Sequence, residues 1–206
     1  MRGARGVVLA GGAATRYGGT PKGLLVVGGE RILDRVVRAL QAATEAPPLL
    51  IANDPDAASW RPDLKAIPDV RAGFGTLGGL YTAVTAGAGP VLCVAWDMPF
   101  VPEALLRALI AGATAGGYDA FLPESMGPRG LEPLCAVYGP ACGPAIAGRL
   151  DQGGGDLTAI SFHADVRVGI LSLAQVKAFG DPDELFLNVN APEDLERAEA
   201  LWRRRP

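Results

Sequence analysis

The sequence predicts an α/β protein: a three-layer α/β/α, Rossmann-like fold on an open, mainly parallel sheet. Three observations carry this. Short runs rich in Val, Ile and Leu alternate with longer stretches of helical period. The runs are apolar throughout rather than at every second residue, as strands covered on both faces require. A chain of 206 residues, 49% hydrophobic and 20% charged, has enough material for one sizeable core.

In chain order, "GVVLA" (6–10) reads as the first strand, followed by a glycine-rich loop. "ILDRVVRALQAA" (32–43) carries apolar residues three and four apart and reads as a helix. Strands follow at "PLLIAN" (48–53) and "LKAIPD" (64–69), then a helix at "LGGLYTAVTAG" (77–87) and a strand at "PVLCVAW" (90–96). "PEALLRALIAGATA" (102–115) is the next helix, and "DAFLP" (119–123) and "PLCAVY" (133–138) the next strands. Beyond about residue 139 the pattern loosens, and "GGG" at 153–155 reads as a turn or lid inside a single domain spanning 1–206. A last strand, "LFLNV", is expected to feed a helix from about 192 to 203.

Composition excludes several function classes. The formal net charge of −3 supplies no basic field for nucleic acid, although "WRRR" near the end is locally positive. The first apolar run lasts only from Val7 to Ala10, too short for a signal peptide, and no stretch is long enough to cross a bilayer. Cys93, Cys135 and Cys142 are odd in number and lack metal-ligand spacing, which points to reduced thiols in a cytoplasmic protein and to no zinc site.

In an open parallel sheet, ligands bind beyond the carboxyl ends of the strands. The loop 11–22, Asn53, Asp69 and Asp97 all leave predicted strands at that edge. The loop is no Walker A motif, because Lys22 is followed by Gly23 where a Ser or Thr would ligate magnesium. Gly11, Gly12, Gly18 and Gly19 allow backbone N–H groups to point at phosphate oxygens, Arg16 adds a planar fork and Lys22 a point charge. The competing reading is a solvated turn with two surface cations. Scarcity favours a site: of nineteen basic residues only Lys22, Lys65 and Lys177 are lysines. All three asparagines, Asn53, Asn188 and Asn190, fall at or near the ends of predicted strands.

Asp97, in "WDMPF", is placed to hold Mg²⁺, which takes one or two carboxylates with substrate phosphates and water. Its alternative is an Asx-type turn into Pro99. Asp69 has the acceptor oxygens for the N1 and N2 hydrogens of guanine and Asn53 can both donate and accept, yet either residue also suits a cap or turn. Asn190, in "NAPE" with Glu193 three residues on, resembles a capping box, and a helix cap is its expected role. Asn188 has no such structural explanation and is expected to reach substrate or metal. The single histidine, His163, reads as a partly exposed helix-end residue rather than a general base.

These residues resemble a known family. "LAGG" with Arg16, Gly18, Lys22 and "LL" is similar to the signature of GT-A-like nucleotidyltransferases, whose fold is that of the nucleotide-diphospho-sugar transferases. "DMP", "PLCAVY" and "NVNAPEDL" resemble its molybdenum cofactor guanylyltransferase branch, over residues 6 to about 198. The resemblance implies transfer of GMP from GTP to molybdopterin with release of pyrophosphate. It implies that Leu9, Ala10, Gly11 and Gly12 contact the nucleotide, that Lys22 binds phosphates and that Asn53 and Asp69 recognise guanosine. Asp97 then binds GTP and Mg²⁺, Arg16 neutralises the departing pyrophosphate, and Asn188 and Asn190 are candidates for substrate or metal contact. Glu132, Pro133 and the "GGG" loop are expected to lie toward the acceptor side, and partner proteins that deliver or receive the labile cofactor are expected. The alternatives are another nucleotidyltransferase, such as a molybdenum cofactor cytidylyltransferase, and a nucleotide-binding module without turnover.

Overall fold

The computed structural model describes residues 3–11, 21–152 and 157–205. Its centre is a seven-stranded sheet. β1 (Arg5–Ala10) lies inside the sheet, flanked on one side by β4 (Leu49–Ala52) and β5 (Ala66–Ile67) and on the other by β6 (Val91–Ala95), all parallel. β8 (Cys135–Tyr138) then runs antiparallel to β6 and to β7 (Ala120–Pro123), and β9 (Val168–Leu171) closes the far edge parallel to β7. A two-stranded ribbon of β2 (Val26–Val27) and β3 (Glu30–Arg31) precedes the first long helix, and three short helices, α2 (Ala57–Trp60), α6 (Leu173–Val176) and α7 (Pro182–Leu185), lie between the longer ones.

Alternation along the central strands sorts side chains to two faces. Val8, Leu50, Leu92 and Val94 pack with α1 (Ile32–Thr44), α4 (Glu103–Gly116) and α8 (Pro192–Arg204). Val7, Leu9, Leu49, Ile51 and Cys93 pack with α3 (Gly75–Thr85) and α5 (Cys142–Gln152). Each central strand is therefore buried on both sides, which is why its sequence is apolar without a period of two. The three-layer, mainly parallel architecture agrees with the sequence reading.

Two expectations are corrected. "LFLNV" is not a strand: Leu185 closes a short helix (Pro182–Leu185), and residues 186–190 form no strand. Phe186, Leu187 and Val189 are buried, but Val189 N–H bonds the carbonyl of Asp97 at 2.9 Å instead of joining a ladder, so the run is apolar for packing reasons alone. The loosened region after 139 also holds regular structure, namely α5 and β9. Gly143, Pro144 and Gly148 weaken the helical signal of α5.

Candidate active site

The strands run parallel through β5, β4, β1 and β6, so their carboxyl ends open onto one crevice of about 610 Å³. Leu9, Ala10, Gly11, Lys22, Asn53, Asp69, Asp97, Asn188 and Asn190 all line it. The structure thus brings together the described residues singled out from sequence. Gly12 and Arg16 lie outside the described residues, as does "GGG" at 153–155.

At one end, Asn53 and Asp69 form a reciprocal pair. Asn53 Nδ2 donates to Asp69 Oδ2 at 2.7 Å, and the Asp69 backbone N–H donates to Asn53 Oδ1 at 2.8 Å. The next residue is fixed too: Val70 N–H donates to Oγ1 of buried Thr82, which itself donates to Gly78 O. Gly78 permits this approach, since a Cβ there would lie 2.8 Å from the Arg71 carbonyl. Asp69 is therefore held with Oδ2 engaged by Asn53, and its Oδ1 faces Gly79 of α3, which also lines the crevice.

At the centre, Asp97 follows β6 and is 8% exposed. Its Oδ1 has no hydrogen-bond partner among the described residues. Burial pushes the carboxyl up to about 6, against the pull of the Lys22 charge. Asp97 is the one acidic side chain among the buried unpaired groups of the described residues, and an unpaired buried carboxylate oxygen is expensive, so the geometry points to a ligand or cation there.

Lys22 is delivered from the opposite side by a short 3₁₀ turn (Lys22–Leu24). The turn lies flat on Trp96: a Cβ at Gly23 would come within 2.4 Å of the indole, so only glycine fits. Trp96 in turn stacks on Trp60, with ring centroids 5.0 Å apart. Lys22 Nζ donates to Asn190 Oδ1 at 2.5 Å. This corrects the expected cap role of Asn190. Pro192 opens α8, which makes Ala191 the cap position, and Asp194 Oδ2 accepts from the N–H groups of both Asn190 and Ala191. The Asn190 side chain is thereby free to hold the lysine. Asn188 also lines the crevice, with its Nδ2 donating to Phe186 O at 3.0 Å.

Next to the crevice is a second cavity of about 530 Å³, sharing Gly75, Thr76 and Leu134 with the first. Glu132 lines it and is pushed up to about 7, by burial first and by the Asp97 charge as well, against the Leu134 N–H. Sequence reasoning set Glu132 and Pro133 toward the acceptor side but passed over the "GFGTLGG" start of α3, although a glycine pair inside a helix is a readable sign of close approach. His163 begins a short 3₁₀ turn (His163–Asp165), is partly buried and lines neither cavity, in keeping with a structural role. No group of three or more His, Cys, Asp or Glu side chains gathers to hold a metal among the described residues. No helix among them is long and apolar enough to cross a membrane.

A crevice of this build, with cation and carboxylate together at the carboxyl edge of a mainly parallel sheet, is the ligand site of an open-sheet α/β protein. Comparison with known proteins narrows the class. The MobA-like NTP transferase domain matches residues 6–166, and the chain belongs to that family of nucleotidyltransferases. A protein named "Probable molybdenum cofactor guanylyltransferase" from Pelotomaculum thermopropionicum is 35% identical, over 96% of this chain and 93% of its own. A molybdenum cofactor guanylyltransferase from Desulfosudis oleivorans is 33% identical, over 95% and 94%. The fold matches a crystal structure of molybdopterin-guanine dinucleotide biosynthesis protein A from Archaeoglobus fulgidus, with TM-score 0.82 and 24% identity over 98% of this chain and 100% of that one.

Proposed function

We propose that this protein transfers the GMP moiety of GTP to the phosphate of molybdopterin, giving molybdopterin guanine dinucleotide and pyrophosphate. The observation that carries the reading is the buried Asp97 carboxylate, its Oδ1 without a partner among the described residues, in the same crevice as Lys22 and the Asn53–Asp69 pair and next to the second cavity. The guanylyltransferase names of the relatives support GTP and molybdopterin as substrates.

The chemistry asks for alignment and charge stabilisation rather than covalent catalysis. An ionised oxygen of the acceptor phosphate forms a bond to the α-phosphorus. The bond from that phosphorus to the oxygen bridging to the β-phosphate breaks, and its electron pair leaves on pyrophosphate. No general base is needed, because the nucleophile carries no proton at neutral pH. Asp69 accepts from the N1 and N2 hydrogens of guanine, and Asn53 holds Asp69 for that task. The backbone of Leu9, Ala10 and Gly11 lies along the nucleotide, a contact the family resemblance extends to Gly12. Lys22, fixed by Asn190, binds the phosphates, and Arg16 neutralises the departing pyrophosphate; Asn188 faces the same space.

Asp97 fits Mg²⁺, with an orphaned carboxylate oxygen beside the place where triphosphate oxygens and water would complete the shell. Bound there, the ion would offset negative charge on the phosphates. The three cysteines are free and buried, which supports a reducing, cytoplasmic setting, and an oxygen-sensitive product favours direct handover between partner proteins.

The test is pyrophosphate release by the purified protein with Mg²⁺ and fresh molybdopterin, with GTP and CTP side by side. Release with GTP and not CTP is expected. Release with CTP alone overturns the base assignment, and release with neither overturns the reading.

A further inference from the structure

The second cavity contains a charge that the fold does not need. Glu132 sits just after a tight hairpin in which Glu124 bridges Leu131 and Ser125 N–H bonds Gly130 O, and its own N–H bonds Pro123 O at 3.0 Å. Its Oε1 accepts from Leu134 N–H at 3.0 Å, fixing the entry to β8. A neutral glutamine would make that bond equally well. A carboxylate here is moreover close enough to Asp97 for the two charges to oppose each other, in a cavity that opens onto the phosphate site. The negative charge is unfavourable unless the ligand brings donors to it.

Arg129 and three hydroxyl side chains also line the cavity, but Arg129 is not among the groups that act on the Glu132 carboxyl, and the remaining wall is an apolar slot of Phe74, Leu131, Pro133, Leu134 and Leu157. A flat ring with a hydrogen-bond-donating edge suits such a slot. The pterin of molybdopterin has this form: its 2-amino group and N3–H present the donor pattern that N1–H and the 2-amino group of guanine present. We infer that Glu132 reads the 2-amino-4-oxo edge of the acceptor's pterin ring, as Asp69 reads that of guanine, with the reacting phosphates between the two carboxylates. The inference rests on the guanylyl-transfer reading of the crevice for the identity of the acceptor, and it assigns to the second cavity the chemical edge it selects.

The experiment has two arms. In the first, Glu132→Gln, which keeps an acceptor for Leu134 N–H but turns a donor toward the ring, is compared with wild type in steady-state turnover. The KM for molybdopterin is expected to rise at least tenfold while the KM for GTP stays unchanged, because a site built for N–H donors rejects a mismatched edge. Unchanged KM for both substrates overturns the inference. In the second arm, no turnover is needed: fluorescence titration of the wild-type protein with 6-hydroxymethylpterin and with 6-hydroxymethyllumazine, whose 2-position carries an oxygen. Binding of the pterin at least tenfold tighter than the lumazine, lost in Glu132→Gln, is expected. Equal binding, or no pterin binding, overturns the inference. Absence of turnover with molybdopterin in wild type would count against the guanylyl-transfer reading alone.

Discussion

The two ends of the crevice are built differently. On the nucleotide side, each polar group sits directly at or just beyond the end of a parallel strand: Gly11 after β1, Asn53 after β4, Asp69 after β5 and Asp97 after β6. On the other side, Lys22, Glu132, Asn188 and Asn190 come from turns and extended segments held by tertiary bonds, such as Val189 N–H to Asp97 O. Strand ends position a side chain through the sheet itself. Turn residues depend on a few specific contacts, so single substitutions there should move function without unfolding the protein.

The largest effects are expected where the two sides meet. Lys22→Ala or Asp97→Asn should lower turnover about 100-fold or more, an electrostatic loss of about 3 kcal/mol. Near-normal rates with native circular dichroism would remove the residue from the mechanism. Next, Asn190→Ala should lower turnover roughly tenfold by releasing Lys22, with little change in melting temperature, since one charge-assisted hydrogen bond contributes about 1.5–3 kcal/mol. Asp194→Ala should do the reverse, costing about 1 kcal/mol of stability through the lost cap at α8. Thermal melts and rates measured on both variants check this crossing. On the nucleotide side, Asp69→Asn should raise the KM for GTP several-fold and leave that for the acceptor unchanged, which initial-rate kinetics would reveal.

The smallest expected effect is on stability against pH. Asp97 is raised from 3.8 to about 6 and Glu132 from 4.5 to about 7, in both cases chiefly by burial. The folded protein thus retains protons that the unfolded chain has already released, so stability falls as pH rises through this window. Without divalent cation, the melting temperature should drop by a few degrees between about pH 4.5 and 7. Asp97→Asn and Glu132→Gln should each flatten the slope; an unchanged slope in both would contradict the assignment.

The same contrast governs what the sequence makes legible. Asn53, Asp69 and Asp97 could be found because a polar residue closing an apolar run marks a strand end, and parallel strands collect such ends at one edge. Lys22 stood out through the rarity of lysine. The Asn190 side chain was misread because "NAPE" matches a capping box by spacing, although Pro192 at the first helical position already places the cap at Ala191. "LFLNV" was misread because an apolar run reports burial, not ladder pairing. β9 was missed because Gly169 interrupts it. That glycine lies under the Tyr118 ring, where a Cβ would come within 2.3 Å, a packing demand with no local signature. Glu132 was legible only as a residue toward the acceptor side, since its role depends on a cavity assembled from three separate segments.

The central claim, that this crevice joins a guanylyl group to the acceptor phosphate, is tested most directly with GTP labelled at the α-phosphorus. Incubated with Mg²⁺ and molybdopterin, the protein should move the label into a product containing both guanine and pterin, in equal amount to the pyrophosphate released, and Asp97→Asn should abolish the transfer. Label remaining in GTP, or appearing only as free GMP, would contradict the account.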